Sequence, residues 1–563
     1  MFLFFLSFVA ALFEYLGLVL IFQFVLFLSN PDTLYSEKIT AFFNNNLNIT
    51  DYQIISLILG ISVAGIYIFK NIYMLVFTKI NNHILEDLSV KITLKLIKHL
   101  IYGDYILVNS IPAGDKLDII NKVSIVVWQF CLKYITLITN IVIAFILILF
   151  LFVKFTACAV ASFVLLGTLS GIEYFYLKKC SDFQNKNLTT ALNNISSSLL
   201  KIISLFKEIK LYGKEEYFEK QSELNYKKYA SLNKDKYFND VFHIYFTEIS
   251  IMLALMAILA VLFLTSNFSN QILITSISTI SVIILRLTPV INRSQSAIYS
   301  INSHKKAALQ ILEFNKKFEK LKIDKTVEKI DFQHVIELKN VNFKYANNAS
   351  GLKNINLKIN KGDFIGIVGK SGCYKTTLAL IISGLIKPDS GNITLDGKNL
   401  NEYRKWQNNI AFLNQNYGLL FENIYENILM GKEFDKNKID KLLSELDIED
   451  LKGISDVNLI SEGQKQRIAL ASILYQDKDI IILDEATSSI DVVSEEKINN
   501  ILKNLSGKKT IISIAHRLQI LKYCTKIVYM DFGQIIDVDT FKNLENKYPE
   551  FKKITELSNF KSS

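Results

Sequence analysis

Gly369-Lys370-Ser371-Gly372-Cys373-Tyr374-Lys375-Thr376 is the stretch on which the reading of this chain turns. It has the layout of a phosphate-binding loop, with Tyr374 where a glycine usually precedes the lysine. The apolar run Asp363 to Val368 in front of it predicts a strand, and Thr377 to Ile382 behind it predicts a helix, which is the context the loop requires. Backbone N–H groups around Ser371 and Gly372 can point at phosphate oxygens, helped by the positive end of the following helix. Lys375 is expected to reach the β- and γ-phosphates and Thr376 to offer its hydroxyl to magnesium. Gly369, Ser371, Gly372, Cys373, Lys375, Thr376 and Thr377 are the candidate phosphate contacts.

A chain of 563 residues is too long for one core, and its 50% hydrophobic content is unevenly spread. Six segments before residue 300 are long and apolar enough to cross a bilayer, which takes about 20 residues each. They lie at 2–28, 53–78, 134–153, 155–177, 241–266 and 272–298. From about residue 330 the pattern becomes that of a soluble α/β domain. The expected organisation is a transmembrane domain over 1–300, a linker over 301–335 and a nucleotide-binding domain over 336–563.

Orientation follows from lysine. The joins near 29–52, 154 and 266–271 carry only Lys38 and Lys154, whereas 79–133 and 178–240 hold seven and twelve lysines. By the positive-inside rule the lysine-rich stretches and the C-terminal domain face the cytoplasm. The net charge of +10 is then mostly a topology signal. No basic stripe with interleaved aromatics points to nucleic acid. Leu85–Leu100 and Leu199–Phe218 have helical periodicity and are expected to carry membrane helices into water. The five cysteines, Cys131, Cys158, Cys180, Cys373 and Cys524, have neither metal nor redox spacing and read as isolated reduced thiols. Met1 runs straight into an apolar stretch too long for a signal-peptide core, so no cleavable signal is expected, and that abrupt beginning leaves a missing upstream segment open.

Further motifs follow the loop. Ile480 to Glu485 is a buried-strand pattern ending in two carboxylates, the arrangement in which the first holds magnesium through water and the second polarises attacking water. Ile460-Ser461-Glu462-Gly463-Gln464 precedes it. Ser488-Ser489-Ile490-Asp491 and Ser513-Ile514-Ala515-His516-Arg517 come after it, and Gln415 ends the strand-like Ile410 to Leu413. In this order the motifs resemble the ATP-binding cassette family over the whole C-terminal domain. With six spans before them, the chain is similar to an exporter-type half-transporter.

The resemblance implies a fold and a set of roles. The fold is a helical membrane domain of six transmembrane helices with long cytoplasmic extensions, followed by an α/β P-loop NTPase domain. Tyr345 would stack on adenine, although it also reads as an ordinary strand tyrosine. Gln415 would bind magnesium or the attacking water, Asp484 the metal, and Glu485 would be the general base. His516 would contact the γ-phosphate. Ser461, Gly463 and Gln464 would cap the γ-phosphate of a nucleotide held by the opposite subunit, so dimerisation belongs to the site. MgATP is the implied cofactor, a homodimer the favoured assembly with a heterodimer still open, and the bacterial inner membrane the implied location.

The segment Phe206 to Phe218 resembles the place where exporters carry their second cytoplasmic coupling helix. Ala10 to Leu18 and Leu285 to Arg293 are similar to spans of transporters that flip lipid-linked oligosaccharides. Ionisable residues within spans are costly and point to function by default. Glu14, Lys70, Glu248, Arg286 and Arg293 are the candidates, with Arg286, Glu14 and Glu248 named for substrate. Lys70 and Arg293 can equally snorkel, and Glu14 can pair with a neighbouring helix. Basic groups in a cavity would suit an anionic head group on an amphipathic cargo.

Three departures stand out. Tyr374 replaces a glycine, and a positive φ there would cost about 1–3 kcal/mol. Glu462 replaces the first glycine of the signature pair, placing a carboxylate near phosphate unless it turns outward. Asp450–Leu459 is short, and the stretch that usually approaches the coupling helices is not recognisable. An active or slowed ATPase is the favoured reading; a degenerate or regulatory half of a heterodimer, or an exporter of peptide, lipid or drug, remains open.

Overall fold

The computed structural model describes residues 2–29, 34–49, 51–154, 156–265, 270–318, 328–345, 350–415, 417–452, 460–484, 492–514 and 518–552. The chain forms two compact units, Met1–Gly103 with Ile111–Leu321, and Asp104–Ser110 with Lys322–Ser563.

The described residues of the first unit are helical. The chain runs through α1 (Phe2–Ser29), α2 (Leu34–Leu47) and α3 (Tyr52–Tyr102). The short α4 (Tyr105–Asn109) belongs to the second unit. The first unit continues with α5 (Ala113–Val126), α6 (Leu132–Lys154), α7 (Thr156–Ser204), α8 (Phe206–Leu211), α9 (Glu215–Thr265) and α10 (Asn270–Lys317). Among the described residues, four helical stretches are long and apolar enough to cross a membrane: Phe8–Val25, Tyr52–Tyr102, Ala113–Phe150 and Glu215–Ala257. The spans expected at 155–177 and 272–298 fall on α7 and α10. Helix α2 lies in the join read as a simple connection.

Helices α3 and α9 have 51 residues each, α7 has 49 and α10 has 48. At 1.5 Å per residue each is about 75 Å long, more than twice the hydrocarbon thickness, so spans and their aqueous extensions are single helices. Leu85–Leu100 does continue α3. Leu199–Phe218 does not form one helix: α7 stops at Ser204, Leu205 leaves helical geometry at φ −111°, and α9 starts only at Glu215. The break after α8 is a C-terminal cap in which Gly213 takes φ +60°. There Lys214 N–H donates to Ile209 O at 3.0 Å and Gly213 N–H to Lys210 O at 3.3 Å, which satisfies carbonyls that a longer helix would have paired.

Three hydrogen bonds tie the long helices together. A π-helical turn, Val127–Cys131, joins α5 to α6, and Ser300 Oγ donates to its Gln129 carbonyl at 2.7 Å. Deeper, Gln295 Nε2 donates to buried Glu173 at 2.5 Å while Thr247 Oγ1 donates to Gln295 Oε1 at 2.6 Å, linking α7, α9 and α10.

The second unit is an α/β domain with two sheets. Strands β1 (Val335–Lys344), β2 (Gly351–Asn360), β3 (Phe364–Gly369), β4 (Ser390–Leu395), β5 (Lys398–Asn399), β6 (Ile410–Leu413), β7 (Ile480–Asp484), β8 (Thr510–Ile514), β9 (Lys526–Asp531) and β10 (Gln534–Asp539) sort into an antiparallel sheet, order β2-β1-β4-β5, and a larger one, order β10-β9-β3-β8-β7-β6. The larger sheet is parallel from β9 to β6. Its strands β7 and β8 are buried throughout, as continuous Ile-rich runs covered on both faces should be. Helices α11 (Lys375–Ile382), α12 (Tyr403–Gln407), α13 (Ile424–Leu429), α14 (Lys436–Glu445), α15 (Glu462–Gln476), α16 (Val492–Leu505) and α17 (Phe541–Lys547) complete it. Trp406 anchors α12 on α11: its ring is fully buried and its Nε1 donates to Ile382 O at 2.8 Å. Replacing such a side chain by alanine costs about 3–5 kcal/mol.

Candidate nucleotide site at the carboxyl edge of the parallel sheet

Parallel strands end on one side, and in open α/β sheets that edge is where ligands bind. The phosphate loop leaves β3 at Gly369, Asp484 ends β7, and Leu413 ends β6 two residues before Gln415. Strand β8 ends at Ile514, two residues before His516. Register aligns them: Asp484 pairs with Ile514, and Ile514 pairs with Ile367 of β3. Sheet topology therefore brings to one edge motifs that lie as much as 150 residues apart. Glu485, Ser488, Ser489, Asp491 and His516 lie outside the described residues.

The loop is built as its sequence predicts, with one cost made visible. Gly369 has no room for a side chain, since a Cβ there would meet Met530 O at 2.2 Å and Cys373 Sγ at 2.7 Å. Lys375 is buried and folds its Nζ onto the carbonyls of Gly369 at 2.9 Å and Lys370 at 3.1 Å. Thr376 is exposed in the first turn of α11, and Asp484 is buried. A hydroxyl and a carboxylate are the hard oxygen donors that magnesium takes alongside phosphate, so these residues fit it. The Cys373 thiol is buried and its pKa raised by that burial. Lys370 is held by Glu550 at 3.2 Å and Asp531 at 3.7 Å, and these partners raise its pKa.

Tyr374 adopts φ +71°, ψ +28°, the left-handed region, so the backbone keeps the conformation a glycine would take. Its carbonyl accepts from Leu378 N–H at 3.0 Å, starting α11, and its hydroxyl meets Ser350 Oγ at 2.9 Å. Tyr345 stands edge-on to Phe343, with ring centroids 4.9 Å apart, and its hydroxyl lies 3.3 Å from Thr377 Oγ1.

Ser461 caps α15, its Oγ accepting from Gln464 N–H at 3.3 Å while Gln464 Oε1 accepts from Ser461 N–H at 2.9 Å. Glu462 turns outward, exposed and paired with Lys465 at 2.8 Å. Gly463 follows it in the first turn, half-buried, and Gln415 is exposed.

In the first unit, Arg286 sits over the Tyr67 ring at 4.2 Å from its centroid, and Lys70 at 5.6 Å. Glu248 and Arg293 are exposed. Glu14 lies on α1, its side chain outside the described residues.

The family model for the ABC transporter transmembrane region matches residues 1–287, more than half of the chain, and the ABC transporter model matches residues 352–488. The chain belongs to the ABC transporter family. A β-(1→2)glucan export ATP-binding/permease protein, NdvA, from Agrobacterium vitis is 30% identical over 243 residues, 40% of each protein. An ATP-dependent lipid A-core flippase from Salmonella typhimurium is 35% identical over 225 residues, 37% of this chain and 38% of the flippase. The match thus spans only about two fifths of the length of these curated relatives. A bacterial Atm1-family ABC exporter solved with ATP bound superposes with TM-score 0.73 at 16% identity, covering 97% of this chain and 96% of that one. At that identity the likeness speaks for the fold.

Two features of this ABC transporter chain escaped sequence reasoning. Tyr105 and Ile106 of α4, lying between α3 and α5 in the chain, pack against a core cluster of the second unit. The signal available was Gly103-Asp104, a helix stop followed by an N-cap, since Asp104 accepts from Ile106 N–H at 3.0 Å. The Tyr374–Ser350 contact had no sequence signal, because nothing in the spacing says where a left-handed tyrosine will point.

Proposed function

We propose that the chain is one half of an ATP-driven exporter or flippase that works as a dimer in a bacterial inner membrane. The observation that carries this is the joining, in one chain, of a long-helix membrane unit with a sheet whose carboxyl edge gathers the phosphate loop, Asp484 and the strand leading to Gln415. MgATP, once bound, supplies the phosphoanhydride whose hydrolysis drives the cycle. Lys375 leaves the loop carbonyls for the β- and γ-phosphates, Thr376 and Asp484 face the metal, Gln415 orients the attacking water, and Glu485 takes its proton. Ser461, Gly463 and Gln464, at the start of α15, close on the γ-phosphate of the nucleotide in the partner subunit, while His516 contacts the γ-phosphate of the nucleotide that its own chain holds. Tyr345 stacks on the base.

The cargo is an amphipathic molecule with an anionic head, such as a lipid-linked oligosaccharide. Relatives named for a glucan and for lipid A-core support a saccharide-bearing cargo, and Arg286 supplies the charge. The exposed apolar side chains Leu205, Phe206, Leu211 and Tyr212 around α8 suit a helix that docks on a cassette and couples its closure to the membrane helices.

ATP turnover by the purified full chain in lipid bilayers tests the proposal. Glu485→Gln should lower steady-state hydrolysis at least about 100-fold while leaving ATP bound. Unchanged turnover in that variant would sink the role given to Glu485. A specific observation, tyrosine at 374, favours a second reading as the weak half of a heterodimer: no turnover in the parent with turnover in Tyr374→Gly would select it.

A further inference from the structure

Tyr345 and Ser350, on either side of the connection from β1 to β2, both reach the start of α11. Before it stands Tyr345, whose hydroxyl lies 3.3 Å from Thr377 Oγ1. After it stands Ser350, whose Oγ lies 2.9 Å from the Tyr374 hydroxyl. The two contacts run in opposite senses, one reaching from the hairpin to the helix and the other from the helix turn to the hairpin. The Tyr374 ring is half-buried and lies against Gly533 of the β9–β10 turn, where a Cβ would approach its Cδ2 to 3.5 Å. From a left-handed backbone at φ +71°, its side chain reaches Ser350 and the β9–β10 turn. A glycine at this position could make no such contact.

We propose that Tyr374 is a positioning residue for the adenosine half of the nucleotide: it clasps Ser350, just before β2, to the phosphate loop, and through the pairing of Gly351 with Lys344 at the end of β1 it fixes where Tyr345 is presented. This deepens the reading of the site as an ATP site and rests on it. The phosphate half is independent of the clasp, because Lys375 and the loop amides belong to backbone geometry that the hydroxyl does not touch. A neutral hydrogen bond of this kind is worth roughly 3- to 10-fold in an equilibrium.

The experiment is competition against a fluorescent ATP analogue on the full chain in lipid nanodiscs, using ATP and inorganic tripolyphosphate as separate competitors. Tyr374→Phe keeps the ring and the backbone and removes only the hydroxyl; Ser350→Ala removes the other partner. Each is expected to weaken ATP about 3- to 10-fold and to leave tripolyphosphate within about twofold, and the double variant should be no weaker than either single one. ATP affinity unchanged in both variants, or ATP and tripolyphosphate weakened equally, overturns the clasp. Failure of the parent chain to bind ATP at all overturns the underlying site reading instead.

Discussion

The phosphate loop and the start of α15 each carry a large side chain where the family places glycine, and the two regions absorb it differently. At Tyr374 the backbone stays in the left-handed region, which is strained for any residue with a Cβ, and the side chain is used for a contact with Ser350. At Glu462 the residue sits in the first helical turn, exposed and paired with Lys465, where a carboxylate favours the helix dipole. Two glycines missing from one sequence pattern therefore have different physical meanings. One position demands a conformation that few side chains tolerate; the other demands only that the side chain turn aside. The cost at Tyr374 falls on folding, because the contacts that hold φ positive are internal to the chain.

The largest effect expected separates the two regions by step. Lys375→Ala should weaken ATP binding about 100-fold or more, by removing the lysine proposed to reach the β- and γ-phosphates. Ser461→Ala should leave ATP binding within about twofold and lower turnover instead, with a loss of about 1 kcal/mol in stability from the missing cap. Equilibrium binding beside steady-state turnover reads both, and a Ser461 variant that loses ATP binding breaks the division between the regions.

Restoring glycine sharpens the comparison at a scale of about 1 kcal/mol. Tyr374→Gly should be more stable than Tyr374→Ala by about 1 kcal/mol in thermal or denaturant unfolding, since alanine keeps the left-handed strain. Glu462→Gly should instead be less stable than the parent by about 0.5 kcal/mol. Equal signs at the two positions would erase the distinction.

The smallest effect calibrates both from a distance. Lys547, Asn543 and the Thr540 N–H hold the Asp539 carboxyl down to about 2. A depressed folded-state value means that its contribution is present above about pH 4 and is lost as pH falls toward 2. Asp539→Asn should flatten the acid limb of the melting temperature slightly and leave neutral-pH activity unchanged.

Legibility in the sequence followed the strength of local rules. The phosphate loop and the strand ending in Asp484 were readable because each couples a motif to a strand boundary. The long helices were readable from apolar length. The break at Gly213 was not, because helical periodicity runs across it while the stop depends on one positive φ. Helix α4 was missed because five residues carry too little pattern to signal that they pack on the core of the second unit. Glu173, a buried glutamate of α7, was passed over for Glu14 and Glu248, since its partner Gln295 is 122 positions away in sequence.

The placement of α4 has a practical consequence. A cassette expressed from residue 322 onward would lack Tyr105 and Ile106, which cover part of its core in the intact chain. Its surface would carry an apolar bare spot, and its tendency to self-associate in solution would report that missing cover before any property of the nucleotide site.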